Sequence, residues 1–337
     1  MFRLAKLSDC DSIIDFLREH WDSNHVYVRH PSLFRYDFVR DGRLTFGLFE
    51  NKGCIEGIFG YFFYNNSQNP DIGGMLWCVS PDSQRATPML GLRLRDFVLQ
   101  TVPHRFFGAP GAGIQTKVIY EKIGSKWIKL DHFVGKISGQ KWPKIVVLRE
   151  GCLKPARSEC KIQQINSFRD LLEIPDKVFT YQTPIKDFSY LAWRYLFHPY
   201  HYYNIWRLNF SSDPVVVVSR IQKFGEHKIM RVIDYLGPVA VAAPSVLTLF
   251  SALQKSQKLS YVDFVCSGFS KDKFEELGFI TVNFEDQSSV VPNHFEPFVA
   301  KSVQIYANAD RGFDNVVMVK GNGDQDRPNS DRNWFAD

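Results

Sequence analysis

A chain of 337 residues has the length of about two ordinary domains of roughly 150 residues each. Hydrophobic residues make up 45% and charged residues 23%, which excludes a largely disordered chain. The net charge of +5 is too small and too evenly spread for a nucleic-acid binder, and it suits anionic small molecules. Aromatic residues reach 15%, enough for wide apolar cores and flat stacking surfaces. The N-terminus, MFRLAKLSDCDSIIDF, lacks the long apolar run of a signal peptide. The longest apolar stretch, Val239–Ala243, is far short of the roughly 20 residues that cross a bilayer. Cys10, Cys54, Cys78, Cys152, Cys160 and Cys266 form no CxxC pair, so free thiols in a reducing cytoplasm are expected.

In chain order, the apolar run Phe2–Ala5 reads as a strand, and Ser8-Asp9 caps a helix over Cys10–Trp21 with Ile13, Ile14, Phe16 and Leu17 at helical spacing. Leu44–Glu50 and Ile55–Tyr64 read as a hairpin around Asn51-Lys52-Gly53, and Gly74–Val79 as a third strand. A helix follows over Pro88–Leu99, then a strand at Arg105–Ala109, a helix at Gln115–Ile123 and one strand at Trp127–Val134.

The second half repeats this plan. Strand Cys160–Ile165 leads to a helix from Ser167, an aromatic-rich segment Phe188–Trp206, and a hairpin Val215–Ile221/Ile229–Leu236 around Gly225. Next come a helix at Ser245–Ser256, strand Leu259–Cys266, and a helix capped by Ser270 and ended by Gly278. These patterns divide the chain into a domain over 1–150 and another over 151–320, joined by a linker at 148–159. The polar, turn-rich segment 321–337 is expected to be a mobile tail.

Strand Trp77-Cys78-Val79 breaking into Ser80-Pro81, with Ser83–Gly91 after it, resembles the fourth strand and pyrophosphate loop of the GNAT superfamily of acyl-CoA-dependent N-acyltransferases. Ile119-Tyr120-Glu121-Lys122-Ile123-Gly124 and Phe274-Glu275-Glu276-Leu277-Gly278-Phe279 are similar to a later helix of that family, once in each half. The resemblance spans nearly all of residues 1–290. It implies an α/β (α+β) fold of tandem GNAT-like domains, each a mixed, mostly antiparallel sheet flanked by helices. A narrower likeness lies in Trp21–Val26, Leu33–Tyr36, Ala192–Tyr195 and His198-Pro199. These resemble two-domain enzymes of bacterial surface-polysaccharide (lipopolysaccharide O-antigen) biosynthesis that acylate nucleotide-linked 3-amino-3,6-dideoxyhexoses. The chain departs from the family where glycines let the loop backbone approach phosphates: Thr87 and Met89 stand there, and Pro88 removes a donor.

The resemblance implies acyl-CoA as co-substrate in the first half and a dTDP-type amino sugar as acceptor, with acetyl or 3-hydroxybutanoyl transferred by direct attack. The thioester oxygen needs a donor, which points to the backbone N–H of Cys78 or Val79. Gln84, Arg85, Ala86, Thr87, Met89, Leu90 and Gly91 are the expected cofactor contacts, Arg85 by forked bonds to phosphate. Tyr120 stands where the family places the acid that protonates the departing thiolate; its alternative is packing. His25 is the candidate base, since imidazole titrates near neutral pH, with sugar contact as its competing role. Asn24 and Tyr36 are expected sugar contacts. In Trp193–Trp206, Trp193 and Tyr202 are candidates to stack a nucleobase, and Arg194 and His198 to hold its phosphates. Burial between the halves is the alternative for all four.

Nothing in the pattern marks a metal site: the nine histidines include no HxH or HExxH. Gly108–Gly113 lacks the GK[ST] of a P-loop. Two further readings compete: a tRNA-dependent aminoacyl transferase of the tandem-GNAT kind, disfavoured by the lack of a Lys-rich arm, and a decayed, non-catalytic scaffold. A homodimer is the base-rate expectation.

Overall fold

The computed structural model describes residues 1–149, 151–156, 160–210, 213–286, 288–293 and 301–328. Strand β1 (Phe2–Leu4) enters helix α1 (Cys10–His20) through a turn in which the Asp9 carboxylate accepts the Lys6 N–H at 2.7 Å. Helices α2 (Val26–Arg29) and α3 (Pro31–Phe38) complete the first helical layer. Strands β2 (Phe46–Asn51) and β3 (Cys54–Phe63) form the expected hairpin. Lys52 and Gly53 both take positive φ there, the geometry that matches the twist of paired strands. Strand β4 (Asp71–Val79), helices α4 (Pro81–Ala86) and α5 (Leu90–Thr101), strand β5 (Phe106–Ala112), helix α6 (Lys117–Lys122) and strands β6 (Lys126–Lys129) and β7 (Asp131–Gly135) follow.

The second half contributes β8 (Lys161–Ile165), α7 (Phe168–Leu172), and α8 (Phe188–Leu191), which runs on through a wide turn to Leu196. Then come β9 (Asn204–Asn209), β10 (Pro214–Phe224), β11 (His227–Leu236), α9 (Ala242–Gln257), β12 (Leu259–Ser267), α10 (Lys271–Glu276) and β13 (Ile280–Thr281). Strands β14 (Tyr306–Ala309) and β15 (Met318–Val319) close the described chain. The stretch Val239–Gln257 is long and apolar enough to span a membrane, but it lies as a core helix with Val246, Leu249 and Phe250 fully buried.

Two large sheets result, ordered β1-β2-β3-β4-β5-β14-β6 and β8-β9-β10-β11-β12-β7-β13, with β15 also paired to β12; a two-stranded ribbon, Val39–Arg40 with Arg43–Leu44, stands apart. Each contains one parallel pair, β4/β5 and β11/β12, and is otherwise antiparallel, so each half follows the expected mixed plan. Sheet membership does not divide at residue 150, however. Strand β14, from the end of the chain, pairs with both β5 and β6, while β7, from the first half, pairs with both β12 and β13. The expected single strand Trp127–Val134 is therefore two strands in different sheets. Leu130, fully buried at the crossover, donates its N–H to Ile305 O at 3.1 Å.

The second departure concerns residues 321–328, expected to be mobile. They form a strap through the core: Asn322, Asp326 and Arg327 are buried. Arg194 donates to Asp326 at 2.6 Å and to Gly323 O at 2.7 Å, and the Tyr203 hydroxyl donates to Asp326 at 2.6 Å. Arg220 donates to Asp326 O at 2.7 Å, and Arg327 reaches Asp37 at 2.5 Å. A polar composition reads as mobile only when water is the partner; here buried arginines and tyrosines require these acceptors. Residues 329–337 of the expected tail lie outside the described residues.

Two outcomes check this architecture. A fragment of residues 1–150 produced alone should show no cooperative thermal transition, and co-production with 151–337 should restore one. Arg194→Met should lower stability in chemical denaturation by about 3 kcal/mol, because it removes the nearest cation of the buried Asp326 carboxylate and leaves it Arg327 at 3.7 Å.

Candidate active site

The site begins with a fault in a strand. Leu76 takes φ +55, and the β3/β4 register slips around it, Phe59 facing Trp77 while Gly60 faces Met75. Such a bulge bends a strand and turns its later side chains in a new direction. Strand β4 stays paired to β5 only over Asp71–Gly73 and Phe106–Gly108. Beyond that the two strands part, and the edge that β4 turns toward β5 carries backbone groups outside the ladder.

A cavity of about 350 Å³ lies against the parted end of β4. Trp77, Cys78 and Val79 form its β4 wall; Gln84 comes from α4, Met89, Gly91 and Leu92 from the start of α5, and Thr116, Ile119 and Tyr120 from the entry to α6 and α6 itself. Six of the residues picked from the sequence as cofactor contacts or acid meet here: Cys78, Val79, Gln84, Met89, Gly91 and Tyr120. The sequence missed Trp77, Leu92, Thr116 and Ile119, which present no chemistry of their own. Gly91 has a packing reason, since a Cβ there would stand 3.2 Å from the Trp77 indole nitrogen.

The expected loop over Ser83–Gly91 is partly helical. Ser80 accepts the Ser83 N–H at 3.3 Å, which starts α4 and carries it through Arg85 and Ala86. Arg85 consequently faces solvent, paired with Asp82, and is not part of the cavity wall. Thr87 closes the turn, its N–H bonded to Ser83 O at 2.8 Å and its carbonyl accepting from Leu90 at 3.2 Å. Leu90 is fully buried as the first residue of α5. Met89 adopts φ +63, the left-handed conformation that glycine supplies without cost. The α5 N-terminus carries no side-chain cap, so its first-turn N–H groups and dipole suit an anion.

Tyr120 packs edge-on to Trp77 with ring centroids 6.2 Å apart and tilts onto Trp127 at 5.8 Å. Burial pushes its phenol up to about 12, so at neutral pH it stays protonated and keeps a proton to donate. Burial also pushes the Cys78 thiol up to about 11, which leaves it no nucleophilic thiolate at neutral pH.

The candidate acceptor residues lie on the opposite face of the same sheet. Alternation along β3 separates the faces: Phe59 and Tyr61 pack beneath α5 with Leu94 and Val98, whereas Ile58, Phe62 and Tyr64 join the core with α1 and α3. On that second face Tyr36 donates to Trp193 O at 2.7 Å, and the Trp193 indole N–H donates to Tyr36 O at 3.2 Å. Arg40 covers the Trp193 ring at 4.5 Å, and Tyr36 meets His198 edge-on at 5.3 Å. His198 contacts Arg327 at 3.1 Å, and Arg327 leads through Asp37 to the Tyr27 hydroxyl, which donates to Asp37 at 2.8 Å. His25 packs against Tyr27, ring centroids 5.2 Å apart.

This cluster corrects two expected roles. Arg194 is enclosed by Asp326, Tyr203 and Gly323, so its guanidinium is spent inside the protein and does not face a diphosphate. Burial and the neighbouring arginines hold the His198 imidazole far below its usual range, leaving it an uncharged ring that accepts N–H bonds from Tyr200 and His201. Tyr202 stands alone in solvent at 75% exposure. His25 caps α2 through Nδ1, which accepts the Tyr27 N–H at 3.3 Å, and burial lowers it to about 4. Asn24 is half-buried and accepts from Arg29 at 3.2 Å.

In the second half the matching opening is filled. Strands β11 and β12 pair through Val232 and Phe264; then β15 takes up Cys266–Ser267, and a Cβ at Gly321 would lie 3.1 Å from Ile233 O. Asp234 is held by Lys186 at 2.6 Å, and Asp263 accepts from His132 at 3.1 Å. Among the described residues no group of three His, Cys, Asp or Glu side chains is placed to hold a metal ion.

Met89→Gly should raise stability by about 1 kcal/mol, read from denaturant midpoints, by relieving the left-handed conformation. As pH falls from 6.5 to about 4 the unfolded chain takes up a proton that buried His25 refuses, so stability declines over that range. His25→Gln should flatten that slope.

No family model matches the sequence, and no curated protein matches it. Solved structures do match the fold. A GCN5-related N-acetyltransferase from Anabaena variabilis aligns over 91% of this chain and 72% of its own, with a TM-score of 0.54 at 10% identity. A conserved protein of unknown function from Enterococcus faecalis aligns over 92% and 72%, with a TM-score of 0.54 at 14% identity. A candidate acetyltransferase from Pyrococcus horikoshii aligns over 95% and 92%, with a TM-score of 0.50 at 12% identity. With two mixed sheets, each carrying one parallel pair, the chain has the tandem fold of the GCN5-related N-acetyltransferases.

Proposed function

We propose that the chain is an acyl-CoA-dependent N-acyltransferase whose first half binds the acyl-CoA and whose acceptor is the amine of a nucleotide-linked, dTDP-type 3-amino-3,6-dideoxyhexose. The observation that carries the reading is the parting of β4 from β5, with a cavity at its mouth bounded by an uncapped helix start and a protonated tyrosine. The cavity walls fit the co-substrate in kind. Trp77, Leu92 and Ile119 suit an acyl-pantetheine chain, and the first turn of α5 suits its diphosphate.

Chemistry follows from the residues at hand. A backbone N–H at Cys78 or Val79, on the bent part of β4, receives the charge that develops on the thioester oxygen. The amine attacks the carbonyl carbon directly, since the only cysteine in the cavity is held as a thiol. As the C–S bond breaks, Tyr120 gives its proton to sulfur. Support for the amino-sugar acceptor comes from the sequence likeness around Trp21–Val26 and Ala192–His198, and from Tyr36, Trp193 and the His25 region lying on the face of the sheet away from the cavity.

Calorimetry with acetyl-CoA tests the first half of this reading. Wild type should bind saturably, and Ile119→Trp, which fills the cavity, should lose binding without a change in melting temperature. Transfer to dTDP-linked 3-amino-3,6-dideoxyhexoses, followed by thiol release, tests the second. Tyr120→Phe should lower kcat roughly 100-fold while acetyl-CoA affinity holds. A folded wild type that fails to bind acetyl-CoA would overturn the reading.

A further inference from the structure

The strap does more than close the core. After β15 it leaves the second sheet and crosses to the first, where the Tyr64 hydroxyl donates to Asn322 O at 2.7 Å. Tyr64 belongs to the face of α1 and α3, so the strap reaches the first sheet from the side away from the cavity. It then runs along β5. A Cβ at Gly323 would stand 2.9 Å from the Pro110 ring, and one at Gly111 would stand 2.8 Å from Gln325 Nε2. Gly111 takes φ +96 at a bulge in the β5/β14 pairing, just beyond the point where β5 leaves β4. Asp324 and Gln325 are thus carried to the parted end of β5.

Charge pairing sets Asp324 apart from the fully buried carboxylates around it. Those each meet a cation: Asp37 meets Arg327 at 2.5 Å, Asp234 meets Lys186 at 2.6 Å and Asp326 meets Arg194 at 2.6 Å. Asp324 is half-buried, and its carboxylate accepts from the side-chain amide of Gln325, at 2.9 Å, and from its own backbone N–H; among the described residues no cation lies at ion-pair distance. Burial raises its carboxyl above the usual range, outweighing the Gln325 amide and the more distant Arg327, which lower it, while Asp326 adds to the rise. A carboxylate that the fold brings into a half-buried place without a cation leaves its charge available to a cation from outside.

Resting on the acyltransfer reading above, we propose that Asp324 is the catalytic residue that binds the acceptor's ammonium group at the parted end of β5 and takes its proton. The ammonium gives up two protons over the reaction. The first passes to Asp324 and on to solvent, freeing the nitrogen lone pair to form the C–N bond. The second leaves nitrogen as the tetrahedral intermediate collapses with cleavage of the C–S bond, and it replaces the proton that Tyr120 gives to sulfur. Products are the amide and CoA thiol, with one proton released. Gln325 is a positioning residue, holding the carboxylate toward the opening. The acceptor class is a primary amine, charged when it arrives, rather than a hydroxyl.

The test compares wild type with Asp324→Asn and Asp324→Glu, using acetyl-CoA and the dTDP-linked 3-amino-3,6-dideoxyhexoses as probes. Asp324→Asn should melt within a degree or two of wild type, having lost no ion pair, and should bind acetyl-CoA equally well. Its kcat/KM for the amine should fall roughly 100-fold, and of the two acidic inflections in the pH–rate profile, one from the substrate ammonium and a lower one from this carboxyl, the lower should disappear. Asp324→Glu should recover part of the rate and that lower inflection. Three results would overturn the assignment: Asp324→Asn within threefold of wild type, a lower inflection that survives it, or wild type that binds acetyl-CoA yet consumes it with none of these amines. Failure of wild type to bind acetyl-CoA would instead defeat the acyltransfer reading on which the assignment stands.

Discussion

Everything in this molecule is arranged around charges that have been taken out of water together. Arg194 with Asp326, and Arg327 with Asp37, are pairs in which both partners are almost wholly enclosed. A guanidinium or a carboxylate left unpaired in such a place costs several kcal/mol, so each member obliges the other to be present. In both pairs one partner belongs to the segment after β15 and the other to a helix far away in sequence. That obligation draws the strap across both sheets. With it come the strand that fills the second sheet's opening and the residues that reach the parted end of β5.

The two halves share one plan and use it differently. In each, a parallel pair of strands begins together and then separates. In the first half the separation lies open beside a cavity, with a bulge at Leu76 bending one wall and a bare helix start facing it. In the second, β15 and Gly321 occupy the gap, and Lys154 from the linker donates its N–H to Leu277 O at 2.9 Å near the turn that ends α10. An opening that backbone has already filled cannot admit a substrate. The repeated fold therefore offers one open cleft and one filled one, and the filled half delivers the strap to the open one.

Much of this is legible in the amino-acid sequence where local rules decide the outcome. The Asn51–Gly53 turn, the caps at Ser167 and Ser270 and the helical spacing of α1 all depend on neighbours within a few residues. Gln84, Met89, Gly91 and Tyr120 can be found because a strand–turn–helix order places them together. What escapes is non-local. Nothing near Leu130 tells the chain to leave one sheet for another, because the reason is β14, about 175 residues later. The segment GNGDQDRP carries the composition of a solvated turn, and its acids and arginine are buried only because Arg194, Arg220 and Asp37 await them. Arg194 and His198 mislead for the same reason, their partners being invisible from their own neighbourhood.

The exchange of strands also bears on how the chain comes into being. The first sheet is incomplete until residue 309 exists, since β14 stands between β5 and β6, and the second until β15 pairs with β12. While the polypeptide emerges residue by residue, β5 presents an edge of unpaired backbone groups, and β7 has no sheet to join until β12 appears. Exposed edges of this kind invite pairing with other chains. Contacts of such long sequence separation also make folding slow, because most of the chain's freedom is lost before they form. Productive folding of this protein is thus an event of the finished chain, and the interval before it is when the cell has most need to keep copies apart.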